Sequence, residues 1–333
     1  MKRRDFLLTA SAIAGGAGLH AANLGAAGLA ANLGQRRALA LYDLTIQNAH
    51  YRFSDHPPTS DMVSLSPQAP PPVLVGHQAK PMMLNVRNTL PDYSSMHWHG
   101  LRIANAMDGV PYLTQMPIAT DETFSYAFTP PDAGTYWYHP HCMTMDQMAH
   151  GLTGVLVINE AIDLGFNADQ VINLKDFRLN EEGNFLPSFT SRGAARAGTF
   201  GNVVTANWQE NPVYDHPAGA LLRLRVVNTD TTRIHKLYLT TTNAQIIAWD
   251  GQPACNRIKP EPQSERAVCI VAQPRGPSRP KCGANPRICL RLVTGQHDRK
   301  QRSLWVHRLY VLVDKSHPLG GRCGHWYRTT GAA

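Results

Sequence analysis

The sequence predicts an all-β protein, built as tandem β-sandwiches followed by an irregular C-terminal tail. Three observations carry this. Between Leu41 and Glu160, short apolar runs such as PPVLVGHQ, PMMLNVRNTLP and GLTGVLVINE are separated by turn residues. Within TYWYHPH, Trp137, His139 and His141 share one face while Tyr136, Tyr138 and Pro140 share the other, the two-residue period of a strand. No amphipathic helical run interrupts the interval, so the strands have only one another to pack against.

The elements follow in chain order. The first 40 residues open MKRRDFLLTASAIAGGAGLH, where Arg3 and Arg4 precede Phe6, Leu7 and an Ala/Gly-rich run. A spanning helix needs about 20 strongly apolar residues, and Gly15, Gly16, Gly18, Gly25 and Gly28 dilute this one. Residues 1–40 therefore read as a twin-arginine signal peptide, cleaved near Ala38 to Ala40. That reading implies the twin-arginine export machinery as a partner, a periplasmic mature chain and no membrane anchor.

Residues 41–160 form the first predicted sandwich and contain both His-x-His motifs. Pro130-Pro131-Asp132-Ala133-Gly134 punctuates the entry to TYWYHPH, and Gly151 and Gly154 punctuate the exit. A second set of strand-like runs, DQVINLKDFRL, NVVTANW, LLRLRVVNTDTT, HKLYLTTT and AQIIAWDGQP, predicts a partial second sandwich over 161–253. From 254 to 333 the alternation fails, and Arg, Pro, Cys and Gly mix without a sustained period; a poorly ordered tail is expected.

The net charge of +8 and pI near 9.3 point at first to a polyanion partner. Divided by segment, the charge says otherwise. Residues 41–253 carry 12 Lys and Arg against 19 Asp and Glu, whereas residues 254–333 carry 15 against 4. The basic character belongs to the leader and the tail, so nucleic acid is not an expected partner. Five of the six cysteines (Cys255, Cys269, Cys282, Cys289, Cys323) also fall in the tail, without any CxxC pair, which leaves a zinc module little support.

The chemistry lies in SSMHWHG and YHPHCM. His97 and His99 form one pair and His139 and His141 the other. In a strand, residues two apart lie about 7 Å apart on one face, so each pair aims two imidazoles the same way. Four neutral nitrogen ligands suit copper or zinc, not magnesium or calcium. Spacing alone leaves open whether a pair chelates one ion or serves two. The alternative of aromatic-packed core histidines fits any single histidine better than it fits four. His50, His56, His77, His216 and His235 have no such partners and read as surface or loop residues.

The stretch MHWHGLRIANAMDGVP together with TPPDAGTYWYHPH resembles the N-terminal cupredoxin domain of the multicopper oxidases, the group of laccases and bacterial copper-resistance oxidases. The likeness runs from about Asn85 to Ile158, and LLRLRVVNTDTTRIHKLYL and IIAWDGQP more weakly resemble the middle cupredoxin domain. The resemblance implies tandem cupredoxin-like Greek-key β-sandwiches, copper as cofactor, and oxidation of phenols or metal ions coupled to reduction of dioxygen. It implies that His97 binds the type 2 copper and that His99, His139 and His141 bind the type 3 pair. Asp108 stands where the family places an acidic proton donor behind the ligands; a turn aspartate in MDGV is the alternative.

The family's other two motifs, H-P-x-H-x-H-G and H-C-H-x-x-x-H, do not occur in these 333 residues. His317-Pro318 continues as Leu-Gly-Gly, and Cys142 beside His141 lacks the second histidine and methionine of a type 1 site. The expectation is a copy truncated or frameshifted after about residue 253, retaining half of a trinuclear copper site and inactive alone. A non-catalytic periplasmic copper-binding protein is the competing expectation.

Overall fold

The computed structural model describes residues 40–54, 56–196, 198–216, 220–239, 245–258, 267–272, 287–295 and 306–311. The first eight strands are β1 (Ala40–Tyr51), β2 (Thr59–Ser64), β3 (Leu74–His77), β4 (Met82–Asn88), β5 (Met96–His99), β6 (Thr123–Phe128), β7 (Gly134–Pro140) and β8 (Gly154–Asn159). They make two four-stranded sheets, β2-β1-β4-β6 and β3-β8-β7-β5. Between β7 and β8 lies one short helix, α1 (Thr144–Ala149).

Alternation decides what goes between the sheets. In β4, Met82, Leu84, Val86 and Asn88 are buried while the residues between them are more open. In β5, Met96 and Trp98 are buried while His97 and His99 face the other way. Trp98 sits edge-on against Tyr126, ring centroids 5.2 Å apart, in a core shared with Tyr136, Tyr138, Leu156 and Ile158. Each such side chain contributes roughly 1.5–3 kcal/mol on leaving water. Two buried tyrosine hydroxyls are partnered: Tyr138 donates to the Pro72 carbonyl at 2.7 Å, and Tyr126 accepts from the Met96 amide at 3.0 Å.

The second set is β9 (Ala168–Phe177), β10 (Val203–Ala206), β11 (Val213–Asp215), β12 (Leu222–Asn228), β13 (His235–Leu239), β14 (Gln245–Trp249), β15 (Gln252–Ile258), β16 (Ala267–Ala272), β17 (Arg287–Gly295) and β18 (Val306–Val311), with a second short helix, α2 (Ser191–Ala194). The sheets are β10-β9-β12-β16-β14-β15 and β11-β17-β18-β13. The order β10-β9-β12-β16 repeats that of β2-β1-β4-β6, with antiparallel, parallel and antiparallel pairings in turn. Backbone pairing thus runs on past residue 253, because β16 lies between β12 and β14. Its sequence AVCIVA is a short apolar run without alternation, the pattern of an interior strand covered on both faces.

The two sandwiches share packing. Phe53 and Met62 from the first meet Phe177, Val203 and Trp208 from the second. Arg225, 1% exposed, donates from Nη1 to Thr135 Oγ1 at 2.7 Å, and Thr153 Oγ1 bonds Thr229 Oγ1 at 3.1 Å.

His235 is a correction to the sequence reading. It is 4% exposed, and its Nε2 bonds Asp230 Oδ2 inside a buried ionic group with Lys175, Asp176 and Arg233. An isolated histidine gives no sequence signal for this, because its partner is a carboxylate brought close by the loop between β12 and β13. The leader lies outside the described residues, as do the tail cysteines Cys282 and Cys323. Among the described residues no helix is long and apolar enough to cross a membrane.

Candidate metal centre

The site stands on the β5–β7 strand pair. Antiparallel register sets His97 opposite His139, Trp98 opposite Tyr138 and His99 opposite Trp137. Because Trp98 and Tyr138 are drawn into the core, the histidines on both strands are turned to the opposite face. One ligand nitrogen from each of His97, His99 and His139 lies within 4.8 Å of the other two. The ring centroids are 5.6 Å apart for His97 and His99, 5.1 Å for His97 and His139, and 5.6 Å for His99 and His139.

His141 is beside this group and not within it. It lies just past the end of β7, is exposed, and donates its amide to the Ser95 carbonyl at 3.3 Å. Its ring centroid is 5.6 Å from that of His97 and 6.1 Å from that of His139.

Main-chain carbonyls orient two of the rings. Nδ1 of His97 is 2.6 Å from the Asp108 carbonyl oxygen, and Nδ1 of His139 is 2.9 Å from the Pro140 carbonyl oxygen. A carbonyl can only accept, so each Nδ1 carries the proton and Nε2 is left with its lone pair for a metal. The Asp108 carboxylate also approaches, with Oδ1 3.4 Å from the same Nδ1. A 3₁₀ turn over Asn105–Met107 delivers Asp108 to this place, and Gly109 completes it at φ +79°. A Cβ on Gly109 would stand 1.9 Å from the Met96 carbonyl oxygen, so only glycine lets the turn press against β5.

Burial pushes the His139 pKa down to about 3, helped by repulsion from His97, His99 and His141 and opposed by the Pro140 hydrogen bond. The ring is therefore neutral at ordinary pH, the form that binds metal. Converging imidazoles, with Nε2 of His97 and His139 turned away from their carbonyl partners, fit a borderline-soft ion such as copper or zinc. Cys142 is not among the grouped donors, and burial pushes its thiol pKa up, partly opposed by a hydrogen bond with Ser95.

Sequence reasoning missed the carbonyls of Asp108 and Pro140, which any residue could present, and the place of Trp137. Its indole lies 4.7 Å from the His99 ring at 30° and 4.4 Å from the His139 ring at 31°.

Histidine nitrogens gathered on one face of a Greek-key sandwich make a candidate transition-metal site on a cupredoxin-like fold. Comparison with known proteins agrees. A family model described as multicopper oxidase matches residues 45–162. Copper resistance protein A of Escherichia coli is 31% identical over 260 residues, 75% of this chain and 42% of that protein. Multicopper oxidase MCE of Talaromyces pinophilus is 36% identical over 118 residues, covering 35% of this chain and 19% of its own length. Among solved structures, a multi-copper oxidase from Pseudomonas parafulva superposes with a TM-score of 0.68 at 30% identity, over 86% of this chain and 66% of that one. One from Pseudomonas thermotolerans gives 0.67 at 29%, over 88% and 67%. The chain belongs to the multicopper oxidase family, with its match in the N-terminal cupredoxin domains, and it spans less than half the length of these curated relatives.

Proposed function

We propose that this chain binds copper through His97, His99 and His139, with His141 as a fourth ligand, and so provides half of an oxygen-reducing copper centre. The observation that carries this is the convergence of three imidazole nitrogens within 4.8 Å on a strand pair whose hydrogen bonds leave Nε2 free on His97 and His139. Copper bound there would supply one-electron redox chemistry toward dioxygen, and the chain's own part is to hold the imidazoles in place. Asp108, with its carboxylate near Nδ1 of His97, is the residue suited to keep a proton at that atom or pass one on.

These 333 residues hold copper without turning over by themselves. No cysteine among them is flanked by two histidines, so no type 1 site takes electrons from a phenolic or metal-ion donor. The reading places the mature chain in the periplasm, delivered by the twin-arginine route, on the strength of Arg3 and Arg4 ahead of a glycine-diluted apolar run. Lysine at both positions should then leave precursor in the cytoplasm.

The decisive experiment is copper titration of the full chain and of the double variant His99→Ala/His139→Ala. Stoichiometric binding should vanish in the variant. Binding that persists would locate the site elsewhere, the tail cysteines first.

A further inference from the structure

We propose that Trp137 is the positioning residue of the metal centre, and that the second sandwich sets the geometry of His99 and His139 through it. The inference rests on the copper-binding reading above. Trp137 is the register partner of His99 across the β5–β7 pair and precedes His139 by two residues on the same strand face. Its indole is stacked against both imidazoles, at 4.7 Å and 4.4 Å with interplanar angles near 30°. His99 is on an exposed strand position, and the indole face limits the torsional freedom of its imidazole. A flat, immobile neighbour removes much of that freedom before metal arrives.

What immobilises the indole comes from both sandwiches. Trp137 is 3% exposed and packs with Met148 of α1, Val155 and Val157 of β8, and Val227 of β12, with Val171 of β9 alongside. Val227 and Val171 belong to the second sandwich. Two residues before Val227, Arg225 reaches Thr135, which itself lies two residues before Trp137. Matched positions two apart on β7 and β12 therefore provide a polar pin and an apolar wall on the same face. Loosening the wall lets the indole tilt, and the imidazoles follow. Partners that orient metal ligands change affinity without touching the metal.

The test uses the full chain and reads copper(II) affinity by chelator competition together with the electron paramagnetic resonance spectrum of bound copper. Trp137→Leu should weaken copper about 10- to 100-fold, the range for residues that orient metal ligands, and should alter the spectrum. Trp137→Phe, which restores a flat ring, should recover most of the loss. Val227→Ala leaves all four histidines in place, yet it should weaken binding and broaden the spectrum. If Trp137→Leu does not fold by circular dichroism, Trp137→Phe and Val227→Ala decide. Wild-type affinity and spectrum in folded Val227→Ala and Trp137→Leu, with only the melting temperature lowered, would make Trp137 an ordinary core residue and overturn the inference while leaving copper binding intact. Copper that stays bound in His99→Ala/His139→Ala would sink the underlying reading and this inference with it.

Discussion

The Nδ1 atom of His97 lies 2.6 Å from the main-chain carbonyl oxygen of Asp108, so a backbone atom of the MDGV turn sets the tautomer of a histidine in the candidate metal centre. The Asp108 carboxylate is farther from the same nitrogen, at 3.4 Å. The peptide oxygen is thus the nearer of two acceptors at this nitrogen.

Two neighbouring substitutions should therefore behave unlike each other. Asp108→Asn keeps the carbonyl and should leave copper affinity within a few-fold of wild type. Gly109→Ala adds a Cβ 1.9 Å from the Met96 carbonyl oxygen at a φ of +79°. It should destabilise by about 1–2 kcal/mol or more and weaken copper markedly, because the turn must lift away from His97. Chelator competition and urea unfolding on both variants check the order; a larger copper loss in Asp108→Asn would reverse the assignment.

Stability without metal should fall in acid through His139. Its folded pKa of about 3 lies below the ordinary value of 6.5, so between these values the unfolded chain holds a proton that the folded chain does not. The contribution is fully present above pH 6.5 and is lost as pH falls toward 3, with a slope of up to about 1.4 kcal/mol per pH unit. Urea midpoints measured from pH 7 to pH 4 should show this decline, and His139→Gln should flatten it. An unchanged slope in the variant would assign the acid sensitivity to other groups.

Asp230→Ala should unfold the second sandwich more readily without altering the metal centre directly. Asp230 is buried, bonded to His235 and close to Lys175, so its loss leaves buried charge uncompensated. Removing one partner of such a group costs about 3–5 kcal/mol. Below the lowered melting temperature, copper affinity should stay near that of the parent. A large copper loss in folded protein would couple this network to the site.

Loaded with copper, the chain should show no intense blue copper-thiolate absorption and no steady oxygen uptake with a phenolic donor. Copper(II) should displace zinc, following the usual order of divalent affinities. Cys142→Ser should change neither spectrum nor affinity, since that sulfur lies outside the group of converging imidazole nitrogens. Blue colour that disappears with Cys142→Ser would give the thiol the electron-entry role that its neighbours deny it.

The sequence by itself determined the strand character of SSMHWHG and TYWYHPH and the pairing of faces within each. A two-residue period admits only one outcome once Trp98 and Tyr138 are taken into a core: the histidines turn the other way. The family likeness was legible in the same residues. Tertiary structure alone decided which imidazoles meet, because the offset between β5 and β7 is set by a ladder formed across some forty residues of intervening chain. It placed His97, His99 and His139 together with His141 at the strand end. It also set the Asp108 carbonyl beside Nδ1 of His97, buried His235 against Asp230, and gathered Val227 and Trp137 into one apolar cluster. These are contacts between residues distant in the chain or made by backbone atoms. Neither leaves a periodic mark for local reading to find, and β16 escaped for a related reason: an interior strand needs no polar face, so AVCIVA has no alternation.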